Sequence, residues 1–472
     1  METQESASHG VSRNVVIGLV LPGIAGYAAL FAYAMQHTSY DIWGALWLAP
    51  ILAAVTLPLL SRFAKNDADP RIFRILALAL ILKFAATLPR YYMVAVTYER
   101  GDSFRYADTA VLLRRGFLTG DFDLSPLGEN SITGTQFVEI VTGLVYTAIG
   151  PTFLGGYIFF SWLCFIGLFF FYRAFCVAIP DGDSIRYALL LFFLPSMLFW
   201  PSSIGKEALM TLALGLTAYG CALMLTRRFG ASLYLLPGLA GILMIRPHVA
   251  MFVIAGLSLG YILRGFGGQR KVALGSFRTI FGLAVIAAAT LLVIRQVSQF
   301  FGLDEFNLDT ATQTLESASE QTGQGGSEFD TSPGPSLADL PMDLVTVLFR
   351  PFPFEVHNVQ ALLAALEGSI LMLLFILSWP RLRTIAKRLA TQPYITFCIT
   401  YIVLFCFIFS SFQNFGILAR ERVMVYPFVI ALLALPMLEI RNTVRRRAIL
   451  HARAADDAAE QSNEMKPSSD SR

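Results

Sequence analysis

Glu99, Arg100, Asp102, Arg105, Asp108, Arg114 and Arg115 crowd into VTYERGDSFRYADTAVLLRRGF, a stretch that begins where the chain leaves an apolar run. A carboxylate at such a boundary can accept a proton from a hydroxyl nucleophile, and Asp102, with Glu99 close by, is the candidate for that work. Asp102 or Ser103 could also cap a helix that runs to Arg115 and stops at Gly116, with Arg114 and Arg115 at its negative end. The two roles are compatible, because a capping carboxylate is rigidly held.

Cations for the other half of a site come from distant loops. PSSIGKEAL starts a helix with Lys206 and Glu207; adjacent helix residues do not face one another, so Glu207 is not expected to satisfy Lys206. ILMIRPHVA turns with Arg246 and His248 at its tip, FRPFPFEVHN holds Arg350 between aromatic rings and stiffening prolines, and ILARERVMVYP carries Arg420 and Arg422. Arginine binds phosphate as a bidentate fork, so the set suits a phosphate that stays in a membrane. Singly, each arginine also reads as an interface anchor and Lys206 as a snorkelling side chain. Asp121 and Asp123 in GDFDLSP could hold a divalent cation, magnesium or manganese, together with Asp102; the same pair also fits ordinary turn chemistry. The sequence has no phosphate-cradling glycine loop, His/Cys metal cluster, GxSxG elbow or paired-His helix motif.

The elements that must position these groups are membrane helices. Hydrophobic residues make up 55% of the 472, charged residues only 15%, and apolar runs of spanning length recur. A formal charge of +3 is too small to suggest a nucleic-acid partner. All five cysteines lie in apolar runs without metal-ligand spacing and read as small buried hydrophobes. Spans are expected near Val15–Met35, Ile42–Leu60, Ile72–Ala95, Phe153–Phe175, Ile185–Trp200, Ala208–Leu225, Ser232–Ile245, Val249–Leu263, Phe277–Val297, Val359–Ser378, Tyr394–Phe412 and Val423–Leu438. The first of these reads as a retained helix rather than a signal peptide. The expected fold is therefore all-α and polytopic, with about twelve transmembrane helices. Arg62, Lys65, Arg71, Arg227, Arg228, Arg264, Arg381, Arg383, Lys387 and Arg388 fall on one side, which the positive-inside rule makes cytoplasmic, with both termini there. That alternation holds if Gln136–Ile149 lies along the outer surface as an amphipathic helix instead of crossing.

Outer loops then cover about 96–152 and 298–358. The second contains ESASEQTGQGGSEFDTSPGPS, about 316–338, which is too polar to bury a core and reads as a mobile linker or a substrate-gating lid. Residues 1–440 form the membrane domain and 441–472 a basic, then disordered, tail. No separate soluble domain is expected. Lys83, deep in the third run, requires a partner; Arg90, nearer its end, can join the site.

ERGDSFRYADTA after an early span, the surface helix, the short mid-chain spans, the late outer loop and RERVMVYPFVIALLALP together resemble the membrane glycosyltransferases of the GT-C fold. The resemblance implies a sugar taken from a polyprenyl-phosphate carrier. It implies that Asp102 is a general base or a metal ligand, and that Arg350, Arg420 and Arg422 steady the lipid phosphate. Ser103 stands where many relatives have a second acidic residue, and an extra span precedes the loop. Polysaccharide polymerases or ligases that use lipid-diphosphate-linked oligosaccharides are the nearest alternative. A lipid-linked sugar flippase is the alternative of another class; it would line a path across the bilayer with charge, and only Lys83 is clearly deep.

Overall fold

The computed structural model describes residues 13–264 and 338–437, apart from positions 66, 68, 98–100, 129–131, 357–358, 390 and 413, together with positions 290, 291 and 295. Glu99, the expected span Phe277–Val297 apart from positions 290, 291 and 295, residues 316–337 and the 441–472 tail lie outside the described residues. Among the described residues the chain is helical and contains no strand. Four helical runs are long and apolar enough to cross a membrane. These are α2 (Tyr40–Ala64), the run Ile72–Thr97, α7 (Phe153–Ala178) and α10 (Lys206–Leu225). Within Ile72–Thr97, α3 (Ile72–Ala85) passes into α4 (Thr87–Tyr92) and a π turn. A fifth is a pair bent by 58°, in which α14 (Val359–Leu377) leads into α15 (Trp379–Leu382) and α16 (Ile385–Arg388). Between and around these runs lie α1 (Arg13–His37), α5 (Asp102–Thr119), α6 (Thr135–Ile149), α8 (Ser184–Phe193), α9 (Pro195–Phe199), α11 (Ala231–Ile245) and α12 (Pro247–Leu263). Further along come α13 (Leu340–Phe349), α17 (Pro393–Phe409), α18 (Phe415–Glu421) and α19 (Tyr426–Leu433).

The core forms around α10, which packs between α7 and α11. Small residues allow the approach: a Cβ on Gly167 or Gly215 would strike the backbone of the facing helix, and one on Gly238 would strike Thr217 and Ala213. Helix α7 also separates two faces of the molecule. Its 26 residues rise about 39 Å. At its start Phe153 stacks on Phe104 of α5, with ring centroids 4.2 Å apart. Near its end the Tyr172 hydroxyl donates to Asp67 at 3.0 Å.

The expected span Ile185–Trp200 is broken. Pro195 disfavours helix at the residue before it, and Leu194 turns extended (ψ 128°), so α8 stops and the short α9 begins afresh. Backbone groups freed among apolar neighbours are costly unless paired, and here two charged side chains pair them. Glu367 of α14 accepts from the Ser196 amide at 3.0 Å and the Ser196 hydroxyl at 2.7 Å. Lys83 of α3 donates to the carbonyls of Met197 at 2.7 Å and Leu198 at 3.2 Å. The carboxylate thus meets the positive end of α9 and the ammonium its negative end. The partner that Lys83 requires is backbone, not a carboxylate.

Two expectations for the first loop are corrected. Helix α5 runs past Gly116 to Thr119 and ends at Gly120, whose φ of 76° suits glycine. Gly101, not Asp102, takes the cap position, and no side chain caps the helix. In α6 the polar stripe faces inward: Glu139, Thr142, Gly143 and Tyr146 are buried, while Leu144 is exposed. That stripe packs on α5, where Arg105 lies 3.8 Å from Glu139 and Arg114 donates to the Tyr146 carbonyl at 2.9 Å. A charged residue one helix away supplies what water supplies to an isolated amphipathic helix.

Candidate functional site

The start of α10 is fixed by its neighbours. The Ser103 hydroxyl, one residue after Asp102, donates to the Ile204 carbonyl at 2.8 Å, so the beginnings of α5 and α10 are tied together. Arg90 lies over the Trp200 ring at 5.0 Å and donates to the Ser203 hydroxyl at 3.5 Å, holding the same loop from α4. Gly205 precedes Lys206, and a Cβ there would come within 3.0 Å of Glu207 Oε2. A bare backbone at that position lets the Glu207 carboxylate fold back over the helix start.

That carboxylate is the hub of the site. Arg420 of α18 donates to Glu207 at 2.5 Å, and Arg246, between α11 and α12, lies 3.6 Å from it. Arg246 also pairs with Glu421, and Arg420 reaches towards Asp102 at 3.9 Å. Four chain regions therefore meet in one alternating ladder, Asp102–Arg420–Glu207–Arg246–Glu421. Glu421 at one end is only 6% exposed and Asp102 at the other is 59% exposed, so the ladder runs from a buried end to an open one. Neighbouring Glu207 holds the charge on Arg420 firmly, raising its pKa against the opposing effect of burial.

Three groups around the ladder are not tied down. Among the described residues the Asp102 carboxylate has only its long contact with Arg420. Lys206 lies within electrostatic reach of Arg246, Glu207, Arg420 and Asp102, yet its ammonium makes no hydrogen bond or ion pair among the described residues. The Tyr106 ring is buried beside the same charges, and its hydroxyl likewise makes no hydrogen bond among the described residues. Burial, then the charges of Asp102 and Glu207, push the Tyr106 phenol up to about 12, so it stays protonated as a donor. A carboxylate, an ammonium and a phenol hydroxyl thus remain available to a ligand.

The other expected site residues are placed differently. Arg350 donates three hydrogen bonds to Glu355, at 2.5, 2.9 and 3.2 Å, and stands over the Phe415 ring at 5.4 Å. Burial raises the Glu355 carboxyl, but Arg350 and the Phe352 amide outweigh it and hold the group below its ordinary range. Arg422, 2% exposed, donates at 2.5 Å to the Val347 carbonyl and also to the Arg350 carbonyl. Arg422 ties the segment that carries Arg420 to α13, and Arg350 stands over Phe415 of the same segment. His248 is enclosed by aromatic rings, Phe409 at 6.0 Å and Phe252 at 6.4 Å. Asp121 accepts from the Asp123 amide at 3.1 Å, and Asp123 accepts from the Ser125 hydroxyl at 2.6 Å. These are turn contacts, and the Ser125 hydrogen bonds hold the Asp123 carboxyl below its ordinary range. Among the described residues no three His, Cys, Asp or Glu side chains gather as a metal-binding set.

Sequence reasoning passed over Glu207, Glu421 and Tyr106. The signal lay in KE and RER: a carboxylate beside each candidate cation, which on a helix points to a different neighbour and so can bind a cation from another loop. No protein-family model, curated protein or solved structure matches the chain.

Proposed function

We propose that the chain is a multi-pass glycosyltransferase of the GT-C type that transfers a sugar from a polyprenyl-phosphate carrier to an acceptor hydroxyl at the outer face of a cell membrane, in envelope polysaccharide or glycoconjugate assembly. In this reading the chain crosses about twelve times, both termini are cytoplasmic, and the Asp102 face is external. The observation that carries it is the pairing of an untethered carboxylate, Asp102, with an untethered ammonium, Lys206, across one ladder of fixed charges.

Asp102 takes the proton from the acceptor hydroxyl as its oxygen bonds to the anomeric carbon. The bond from that carbon to the phosphate oxygen breaks, and its electron pair leaves on the phosphate. Lys206 stabilises this growing charge, with Arg420 and Arg246 held close by Glu207. A single displacement inverts the anomeric centre. Among the described residues Asp121 and Asp123 do not gather with Asp102 as a metal-binding set, so the residues present do not fit a shared divalent cation and no step passes through a metal.

The test uses the full chain in lipid nanodiscs with polyprenyl-phosphate-linked hexoses and pentoses, following release of polyprenyl phosphate. Lys206→Ala is expected to slow release by about 10²–10³-fold, the loss typical for removing one charge stabiliser. Equal rates with and without protein across the donors would end this reading, and a fully active Lys206→Ala would remove the role of the lysine. A polymerase using diphosphate-linked donors predicts instead that Arg350→Ala is inactive and Asp102→Asn active. The engagement of Arg350 with Glu355 favours the monophosphate reading.

A further inference from the structure

At the opposite end of α7 lies a second charged cluster that the proposed reaction does not use. Arg186 of α8, Arg381 of α15 and Arg388 of α16 face two carboxylates, Asp181 and Asp183. Arg388 pairs with Asp181 at 3.0 Å and Arg381 with Asp183 at 3.1 Å. Arg186 makes no ion pair with a carboxylate among the described residues; its guanidinium donates to the Ser378 hydroxyl at 2.7 Å and feels both the repulsion of Arg381 and the weaker attraction of Asp183. Each of the three guanidinium groups also keeps one buried nitrogen without an acceptor among the described residues: Nε of Arg186, Nε of Arg381 and one terminal nitrogen of Arg388. A surplus positive charge with unmet donors is expensive below the surface and calls for an anion.

The surroundings indicate which anion. Ser378 sits at the 58° bend between α14 and α15, and the next residue, Trp379, is 60% exposed. Above the bend, Leu363, Leu366, Ile370, Leu373 and Leu377 of α14 form an exposed apolar strip at three- and four-residue steps. On α8, Leu189 is exposed one turn from Arg186, so this arginine borders the same apolar surroundings. An exposed tryptophan at the foot of an apolar strip marks the headgroup level of a bilayer.

We infer that Arg186 holds the phosphate of an anionic phospholipid at this face, beside the positive charge of Arg381, with its acyl chains laid along α14. The site is independent of the glycosyl-transfer reading and lies about 39 Å of helix rise from it. Charge complementarity and the lipid-facing strip select a lipid rather than a soluble phosphate.

The experiment takes the purified full chain in neutral detergent. It adds phosphatidylglycerol, phosphatidylcholine or inorganic phosphate, and reads bound lipid by native mass spectrometry and melting by dye-free fluorescence. Phosphatidylglycerol should be retained and should raise the melting temperature; the other two should not. Arg186→Gln should weaken phosphatidylglycerol retention by about tenfold or more, the scale of one charge-assisted hydrogen bond, and Arg186→Lys should recover part of it. The Arg383→Gln/Lys387→Gln pair, which removes exposed charge from the same face, should retain the lipid as the parent does. Equal retention of phosphatidylcholine, full stabilisation by inorganic phosphate alone, undiminished retention in Arg186→Gln, or equal loss in the surface pair would each overturn the assignment. The lipid comparison on the unaltered chain stands even if a variant folds poorly.

Discussion

Asp102→Asn should abolish release of polyprenyl phosphate, on the order of 10²–10⁴-fold, while the protein melts as before. The substitution preserves shape and removes the group proposed to take the acceptor's proton. Its structural cost is small for two reasons. Asp102 does not cap α5, so no helix amide loses an acceptor. Its one ion pair, to Arg420 at 3.9 Å, involves a carboxylate that is 59% exposed, and pairs of that kind contribute about 0–1 kcal/mol. Activity and stability therefore separate cleanly at this residue. An Asp102→Asn protein with parental turnover would show that the hydroxyl is deprotonated elsewhere and would remove the central element of the mechanism.

Glu207→Gln should behave in the opposite way, lowering stability as well as activity. The Glu207 carboxylate is 5% exposed and offsets two guanidinium groups, Arg420 at 2.5 Å and Arg246 at 3.6 Å. Removing one partner of a buried pair leaves charge uncompensated and costs about 3–5 kcal/mol. Glu421 still serves Arg246, so Arg420 bears most of the loss. The double variant Glu207→Gln/Arg420→Gln should recover part of the stability, because the orphaned cation is gone, but none of the activity. Thermal unfolding of the two singles and the double closes the cycle. Additive losses would mean that Glu207 and Arg420 are not coupled, and the ladder would no longer account for how Arg420 is held.

Much of the helical layout could be read from hydropathy. Expected Phe153–Phe175 and Ile42–Leu60 fall within α7 and α2, because a long apolar run in lipid has no alternative to helix. The break at Pro195 was harder to see, since averaging over an apolar window hides one residue whose effect is on backbone geometry. The site was legible as a set of residue types but not as a set of partners. Arg420 and Glu207 are 213 positions apart, and what joins them is the packing of α10 against the turn Arg422–Met424, which periodicity does not report. Arg350 and Arg422 show the same limit from the other direction. A guanidinium binds a backbone carbonyl as readily as a phosphate, and only the coordinates distinguish an arginine bracing α13 from one left near a ligand site.

The short helix α9, with Glu367 at one end and Lys83 at the other, has a consequence for how this part of the chain can vary. Two residues in a mutual salt bridge can exchange signs and restore their attraction. These two each address main-chain groups whose polarity is set by chain direction, amides at Ser196 and carbonyls at Met197 and Leu198. Reversing both charges would place a carboxylate against carbonyls and an ammonium against an amide, so the reversed pair is worse than either single change. The polarity of the peptide unit, rather than charge balance, dictates which sign each position tolerates.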